Sequence, residues 1–187
     1  MFADRPSLDE RLLVLARTRG HSAGAERALR RFSRVGDHGA AWLGIGGVGL
    51  ALDRPRAAAW RRALAGVAGA YGLNTAVKLA IKRRRPQLDG LPALAGTPTG
   101  LSFPSSHAAT SFAGALAYAR LGVPRAPLYA LALGLSLSRV YLGVHYPSDV
   151  IAGGVLGSAV AAVAFPRPDA GPRELKTARR DDGGSRA

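Results

Sequence analysis

The feature that most constrains this chain is its middle region, residues 40–165, in which charged residues gather into a few short clusters. Between these clusters run long stretches of Ala, Leu, Gly and Val. In lipid the backbone must pair its own N–H and C=O groups, which a helix does within one segment. Several uncharged runs in one chain are typical of helices that cross a membrane. The sequence therefore predicts an all-α, polytopic membrane protein.

Charge alone leaves two classes of protein open. The net charge of the 187 residues is +14, and 48% of them are hydrophobic. Such a basic excess suits a nucleic-acid binder, whose Lys and Arg neutralise phosphates. It also suits a membrane protein with basic residues at helix ends and in loops near anionic lipid. The uncharged runs favour the membrane protein, so nucleic acid is not expected as a partner.

The chain contains no Cys, which excludes disulfides, thiolate metal sites and a cysteine nucleophile. The mean hydropathy of +0.06 does not contradict a membrane location, because polar ends dilute the apolar middle. The length accounts for one domain. Residues 1–37 are predicted to form a basic, amphipathic helical segment at the membrane surface, with a flexible arm as the alternative. Residues 38–166 would form the membrane domain, and residues 167–187 a disordered, charged tail.

About five spanning helices are predicted from the positions of prolines, glycines and charged turns. Asp37 is expected to cap the first helix. Pro86 should end the second, because a proline disfavours helical geometry in the residue before it. Some spans contain fewer than the ~20 uncharged residues that cross a bilayer comfortably, so a soluble bundle is the alternative. The predicted bounds are 38–53, 57–84, 105–120, 125–142 and 148–165.

Tracing these helices up and down a membrane brings three polar clusters to one side. The first cluster ends the second helix, where Lys78, Lys82 and Arg85 would share one helical face at i, i+4 and i+7. Long cationic side chains on such a face can converge on a phosphate group. Lys82 is also a weaker candidate for a second phosphate of a diphosphate. A basic stop-transfer cluster explains the same residues without any ligand.

The second cluster, residues 103–107, opens the third helix. Free backbone N–H groups and the Ser105 hydroxyl can bind phosphate oxygens at the positive end of a helix. His107, just inside the helix, could then supply a proton. Simple capping by Pro104 and the serines that follow explains the same pattern.

The third cluster joins the fourth and fifth helices. Arg139 lies near the end of an apolar helix, where an unpaired charge is costly and usually functional. His145 lies in the following loop, four residues before Asp149. A carboxylate at this spacing can fix the imidazole tautomer and leave the other ring nitrogen free to attack. A helix-start Asp and a polar loop His are the structural alternative.

In chain order these residues resemble the motifs of the type 2 phosphatidic acid phosphatase superfamily, which shares its phosphate site with vanadium-dependent haloperoxidases. The resemblance covers residues 78–149. The family often has Gly where Ser106 stands, a change that preserves backbone N–H donation. The matching patterns are Lys-x6-Arg-Pro (Lys78, Arg85, Pro86), Pro-Ser-x-His (Pro104, Ser105, His107) and Ser-Arg-x5-His-x3-Asp (Ser138, Arg139, His145, Asp149).

The resemblance implies a membrane lipid phosphatase that works through a phosphohistidine intermediate. His145 would attack phosphorus with Asp149 orienting it, and His107 would protonate the leaving group and then activate water. No metal or other cofactor is expected, because fixed cations neutralise the phosphate and the sequence shows no carboxylate cluster for magnesium. The phosphate oxygens would be held by Lys78, Arg85, Ser105, Ser106 and Arg139.

The expected partner is a lipid phosphate in the cell membrane. The short chain resembles small bacterial members that act on polyprenyl lipids, including decaprenylphosphoryl phosphoribose. Phosphatidic acid, phosphatidylglycerophosphate and undecaprenyl diphosphate stay open, as do a vanadium haloperoxidase and a non-enzymatic basic adaptor. The multi-pass protein is predicted to face its site outward, because arginines of short loops lie on the other side. The sequence does not predict the oligomeric state.

Overall fold

A computed structural model describes residues 6–165, and apart from one isolated bridge between Arg84 and Leu101 its regular structure is helical. The predicted disordered tail, residues 167–187, lies outside the described residues. The predicted all-α class is therefore confirmed for the described part of the chain. Residues 6–165 contain seven α-helices: α1 (Leu8–Thr18), α2 (Ala23–Arg34), α3 (Ala40–Leu52), α4 (Ala57–Ile81), α5 (Ser106–Arg120), α6 (Arg125–Tyr141) and α7 (Pro147–Ala164).

The N-terminal segment forms two short helices rather than a flexible arm. Ser7 begins α1 with a reciprocal cap, in which its side chain accepts from the Glu10 N–H and the Glu10 carboxylate accepts from the Ser7 N–H. The Ser22 side chain accepts from the Ala25 N–H at the start of α2. Both helices pack against α6, so the segment is part of the folded unit.

Helix α5 lies at the centre, and α4, α6 and α7 pack around it, with α3 against α4 and α5. Most of α5 is buried, and its many small residues let neighbours approach closely. The glycines of α7 also allow a close approach. A Cβ at Gly157 would overlap the Ala109 carbonyl, and a Cβ at Gly153 would overlap the Ser105 carbonyl. The starts of α5 and α7 therefore lie side by side.

Aromatic residues fill the core away from those helix starts. Trp42 on α3 donates from Nε1 to the Ser111 hydroxyl at 2.9 Å, and the Tyr118 hydroxyl donates to the Trp42 carbonyl at 2.6 Å. Trp60 lies against Tyr118, with ring centroids 5.5 Å apart. The polar groups of Trp42 and Tyr118 are thus hydrogen-bonded while the rings fill the core. This packing fixes α3 and α4 against the central helix.

Within the described residues, two helical segments have the length and apolar composition of membrane spans, Arg54–Ile81 and Pro147–Ala164. Helices α3, α5 and α6 contain 13, 15 and 17 residues. They are shorter than the ~20 residues of an average span.

Two local expectations are wrong. Helix α4 ends at Ile81 rather than at residue 84, because Lys82 turns into the left-handed conformation with φ 54°. Arg85 is therefore not on a helical face with Lys78, and it reaches the site from an extended segment.

Asp37 does not cap the first bundle helix. Residues Asp37–Gly39 form a single 3₁₀ turn, and α3 begins at Ala40. Gly39 makes this turn with φ 77°, against Thr110 of α5, where a Cβ would lie 3.3 Å from that side chain. The carboxylate of Asp37 is left to face the site instead.

Candidate active site

The up-and-down course of the bundle brings the starts of α3, α5 and α7 and the ends of α4 and α6 to one end of the molecule. A cavity of about 360 Å³ lies there, called the main cavity below. Two further predicted site residues adjoin it: Ser105 precedes the lining residue Ser106, and Asp149 contacts the lining residue His145. The predicted site residues that line it are Lys78, Arg85, Ser106, His107, Arg139 and His145.

His145 lies in the loop before α7 and is 3% exposed. Its Nδ1 is 3.4 Å from Oδ2 of Asp149, and its Nε2 is 3.2 Å from a guanidinium nitrogen of Arg85. Burial lowers the pKa of His145 to about 4; the hydrogen bond that the ring donates to Asp149 raises it, and the charge of Arg85 lowers it. The imidazole is therefore neutral at neutral pH, with Nδ1 toward the carboxylate.

Asp149 is fully buried and is neutralised by Arg83, whose guanidinium lies 2.9 Å from Oδ1. The other nitrogen of Arg83 lies 2.9 Å from Asp9 of α1. Its guanidinium also stacks over the ring of Tyr146 at 4.1 Å. Ser148 donates to Asp9 from both its backbone N–H and its hydroxyl. A buried carboxylate requires such a paired, hydrogen-bonded charge, so α1 takes part in building the site.

Asp9 itself is kept ionised by these contacts. Burial raises the pKa of Asp9, but hydrogen bonds from Ser148 and Arg83 outweigh it and hold that pKa below its ordinary value. Asp9, Arg83 and Asp149 thus form a network of alternating negative and positive charges. The network runs from α1 to the carboxylate that contacts His145.

Lys78 connects α4 to the loop that leads into α5. Its ammonium donates to the carbonyl oxygens of Pro104 at 2.8 Å and Ser102 at 3.1 Å. These contacts hold the charge at the wall of the main cavity and fix the entry of the chain into α5.

Arg85 and Arg139 supply two more cations. Arg85 donates to the Val144 carbonyl at 2.7 Å, next to His145. Burial and the charge of Arg139 lower the pKa of Arg85 to about 10, so it stays charged at neutral pH. Arg139 donates to the Ser33 hydroxyl at 2.7 Å, and its Nε is buried without a partner among residues 6–165.

The start of α5 offers donors without internal acceptors. N–H groups in the first turn of a helix have no intrahelical partner, and the Ser105 hydroxyl is buried with none among the described residues. The alternative interpretation, capping by Ser105, does not occur through its side chain. The Ser106 hydroxyl accepts from Asn74 at 2.7 Å. This is an anion-binding arrangement at the positive end of a helix dipole.

His107 faces two acceptors. Its Nε2 lies 3.0 Å from the Ser33 carbonyl and 3.3 Å from Oδ1 of Asp37. Because both neighbours accept, Nε2 carries the hydrogen. Asp37, half exposed, thus lies where it can stabilise a protonated imidazole.

Comparisons with known proteins identify the family of this chain. The family model described as the PAP2 superfamily matches residues 59–170. This chain belongs to the PAP2 superfamily. It is 36% identical over 165 residues to the decaprenylphosphoryl-5-phosphoribose phosphatase of Mycobacterium tuberculosis, covering 87% of this chain and 85% of that protein. Its identity to the enzyme of the same name from Mycolicibacterium smegmatis is 33% over 154 residues, covering 81% and 84%.

Solved PAP2 structures share the fold. A transmembrane PAP2-type phosphatidylglycerolphosphate phosphatase from Bacillus subtilis superimposes with a TM-score of 0.70 at 22% identity, covering 83% of this chain and 82% of that one. Aquifex aeolicus LpxE gives 0.68 at 21% identity, covering 88% and 98%. The family resemblance read from the motifs is confirmed, and the chain is a phosphatase of the membrane-associated PAP2 class.

Sequence reasoning missed two residues that support the candidate site of this PAP2 protein, Arg83 and Asp9. Arg83 is one of three consecutive arginines, and nothing in the run distinguishes it from Arg84. Asp9 lies 74 residues before its partner, in a segment expected only to lie on the membrane. Ser33 belongs to none of the three motifs, and only the structure shows that it contacts both Arg139 and His107. A buried cation near the site requires an anion as its partner, but only the packing of the helices decides which anion this is.

Proposed function

We propose that this PAP2 phosphatase hydrolyses a phosphomonoester or diphosphate of a polyprenyl-linked lipid through a phosphohistidine on His145. The observation that carries the proposal is a buried, neutral imidazole, backed by Asp149, in a cavity lined by Lys78, Arg85 and Arg139. Cations fixed in this way suit a phosphoryl group, whose transfer needs charge stabilisation and positioning.

In the first step, Nε2 of His145 attacks phosphorus while the bond from phosphorus to the leaving oxygen breaks. Asp149 holds the Nδ1 hydrogen and stabilises the charge that develops on the ring. His107 gives a proton to the leaving oxygen. The equatorial oxygens bind to Lys78, Arg85, Arg139, the Ser105 hydroxyl and the backbone N–H groups near Ser106.

In the second step, His107, now deprotonated, takes a proton from water as the water oxygen attacks phosphorus. The N–P bond breaks, His145 returns to its neutral form, and inorganic phosphate leaves. Asp37, 3.3 Å from Nε2 of His107, stabilises the imidazolium that forms here. His107 therefore gives one proton to the leaving oxygen in the first step and takes one from water in the second.

Support for a polyprenyl substrate comes from relatives that match over most of their length and are named for decaprenylphosphoryl-5-phosphoribose. A shorter match, 38% identical over 81 residues, is the undecaprenyl-diphosphatase of Sulfolobus acidocaldarius. Both names describe phosphate groups on long prenyl lipids. The chain is a lipid phosphatase, and we infer that its lipid is of this kind.

The test is phosphate release in detergent across a panel of lipids, with the His145→Ala variant as control. The panel contains polyprenyl mono- and diphosphates, a polyprenylphosphoryl sugar phosphate, phosphatidic acid and phosphatidylglycerophosphate. We expect kcat/KM to be at least about tenfold higher for a polyprenyl lipid, which is a difference of about 1.4 kcal/mol in transition-state binding. His145→Ala should lower kcat by about 10³-fold or more.

Two results would contradict the proposal separately. Near-normal turnover by a folded His145→Ala variant would remove His145 as nucleophile. Faster hydrolysis of phosphatidic acid or phosphatidylglycerophosphate would remove the polyprenyl assignment.

We also infer that α3 to α7 each cross the membrane, with the main cavity facing outward. Large apolar side chains on the outside of the bundle support this, among them Val48, Ile151 and Val163, each more than half exposed. Short spans can be accommodated by local thinning of the bilayer. Arginines of the short turns before α4 and α6 lie at the opposite end of the bundle, which favours that end as cytoplasmic.

A further inference from the structure

Beside the main cavity lies a second cavity of about 240 Å³. Its basic lining residues are Arg30 and Arg34 of α2 and Arg139 of α6. It shares Asp37, Gly96 and Arg139 with the main cavity, so the two adjoin along a common wall. A single headgroup can therefore reach both.

The second cavity carries unneutralised positive charge. Three guanidiniums face one carboxylate, Asp37, whose only ion pair in the described residues is with His107. Neither Arg30 nor Arg34 has a carboxylate within 4 Å in the part of the chain that the structure describes. Like charges gathered in this way repel one another, and a bound anion removes that repulsion.

Two of these guanidiniums also have buried nitrogens without partners. Nε of Arg30 and Nε of Arg139 are both buried with no hydrogen-bond acceptor among residues 6–165, and Arg139 is only 5% exposed. A buried N–H left unpaired destabilises the protein. An oxyanion in the second cavity is the acceptor that such groups bind most strongly.

Helix α2 holds the two surface arginines in place. Arg30 and Arg34 are four residues apart and share one helical face. Phe32 packs on α6, close enough that a Cβ at Gly134 would lie 3.2 Å from its ring. Ser33 contacts both Arg139 and His107. The contacts of Phe32 and Ser33 therefore hold α2, and with it Arg30 and Arg34, beside the second cavity.

We propose that the second cavity binds a further phosphate group of the substrate. The lipid headgroup then carries two phosphate groups, one cleaved beside His145 and one held by Arg30 and Arg34. Guanidiniums bind phosphate oxygens in pairs, whether the phosphate is a diester or part of a diphosphate. Lys82, the candidate from the sequence, is exposed and lines neither cavity. This inference rests on the proposed function and specifies its substrate class.

The test measures lipid binding in the inactive His145→Ala background, so that it needs no turnover. Three lipids with the same prenyl chain are compared in nanodiscs: a monophosphate, a diphosphate and a phosphodiester-linked sugar phosphate. Arg30→Gln and Arg34→Gln should each reduce the preference for a two-phosphate lipid over the monophosphate about tenfold, as expected for a charge-assisted hydrogen bond. The lipid that shows the loss distinguishes a diphosphate from a separated phosphodiester.

Arg31→Gln is the matched control, because it removes the same charge from the same helix at an exposed position that lines neither cavity. It should leave the preference within about twofold. An unchanged preference in the Arg30 and Arg34 variants, or an equal loss in the Arg31 variant, would overturn the second site. The proposed phosphatase activity fails by a different result, namely no phosphate release from any lipid by the unsubstituted enzyme.

Discussion

At the scale of single residues, Asp149 performs two tasks that the sequence presents as alternatives. Its Oδ2 accepts the Tyr146 N–H at 2.9 Å and so begins α7, while the same carboxylate lies against Nδ1 of His145. Helix capping holds the carboxylate still, and a fixed carboxylate orients an imidazole better than a mobile one. Arg83, bound to the other oxygen, keeps the buried charge from being unpaired.

The lowered pKa of His145 gives a prediction that needs no substrate. Because burial disfavours the charged ring, we expect this imidazole to stay neutral on acidification until about pH 4, whereas an exposed histidine protonates near pH 6.5. NMR of ¹⁵N-labelled histidine in detergent would follow it, with the signal assigned by its loss in His145→Ala. Protonation of His145 near pH 6.5 would contradict the lowered pKa that its burial predicts.

At the scale of helices, the site depends on how closely α7 approaches α5. Gly157 has the Ala109 carbonyl where a Cβ would be, and Gly153 has the Ser105 carbonyl. Ser105 also donates its N–H to the Asp149 carbonyl at 2.9 Å, joining the two helix starts that border the main cavity. Any separation of these helices moves His145 away from the donors at the start of α5.

This packing gives a prediction at the same scale. Gly157→Ala should lower stability by about 1–3 kcal/mol, because the added methyl overpacks against backbone that cannot yield. The matched control is Gly72→Ala in α4, where a Cβ meets nothing within 4 Å and the better helix propensity of Ala applies. Thermal unfolding in detergent would measure both. A Gly157→Ala variant as stable as Gly72→Ala would contradict the close approach.

At the scale of the whole molecule, the bundle separates two basic surfaces. One lies around the two cavities, where we propose that cations bind phosphate groups, and the other lies in the short turns before α4 and α6. Only the basic residues of the second surface are used to infer the orientation from the positive-inside rule. The basic residues of the first surface are explained by the proposed phosphate binding. The proposed outward orientation rests on this distinction.

Because the chain has no native Cys, single cysteines can test the orientation. Ala93→Cys lies in the exposed loop beside the site, and Ala126→Cys lies at the exposed start of α6 on the opposite end. In intact cells we expect a membrane-impermeant maleimide to label position 93 and not position 126. Permeabilised cells should label both. The reverse pattern in intact cells would place the phosphate site in the cytoplasm.

The sequence by itself determined the order of the helices and the side on which their polar ends meet. It also determined the His145–Asp149 pair, because residues four apart across a helix start are neighbours in any fold of this kind. These features depend on local spacing and on alternation along the chain. The predicted number of about five spans remains an inference, since three helices are shorter than an average span.

Only the tertiary structure decided which of several equivalent charges serve the site. Arg83 rather than Arg84 neutralises Asp149, and Asp9 completes that network from 74 residues away. Likewise Arg30 and Arg34, two of many arginines in the N-terminal segment, line the second cavity. The arginines that remain in solvent have the same side chain and similar positions in the sequence as the arginines that line the cavities. Burial selects among them, and burial exists only once the helices have packed.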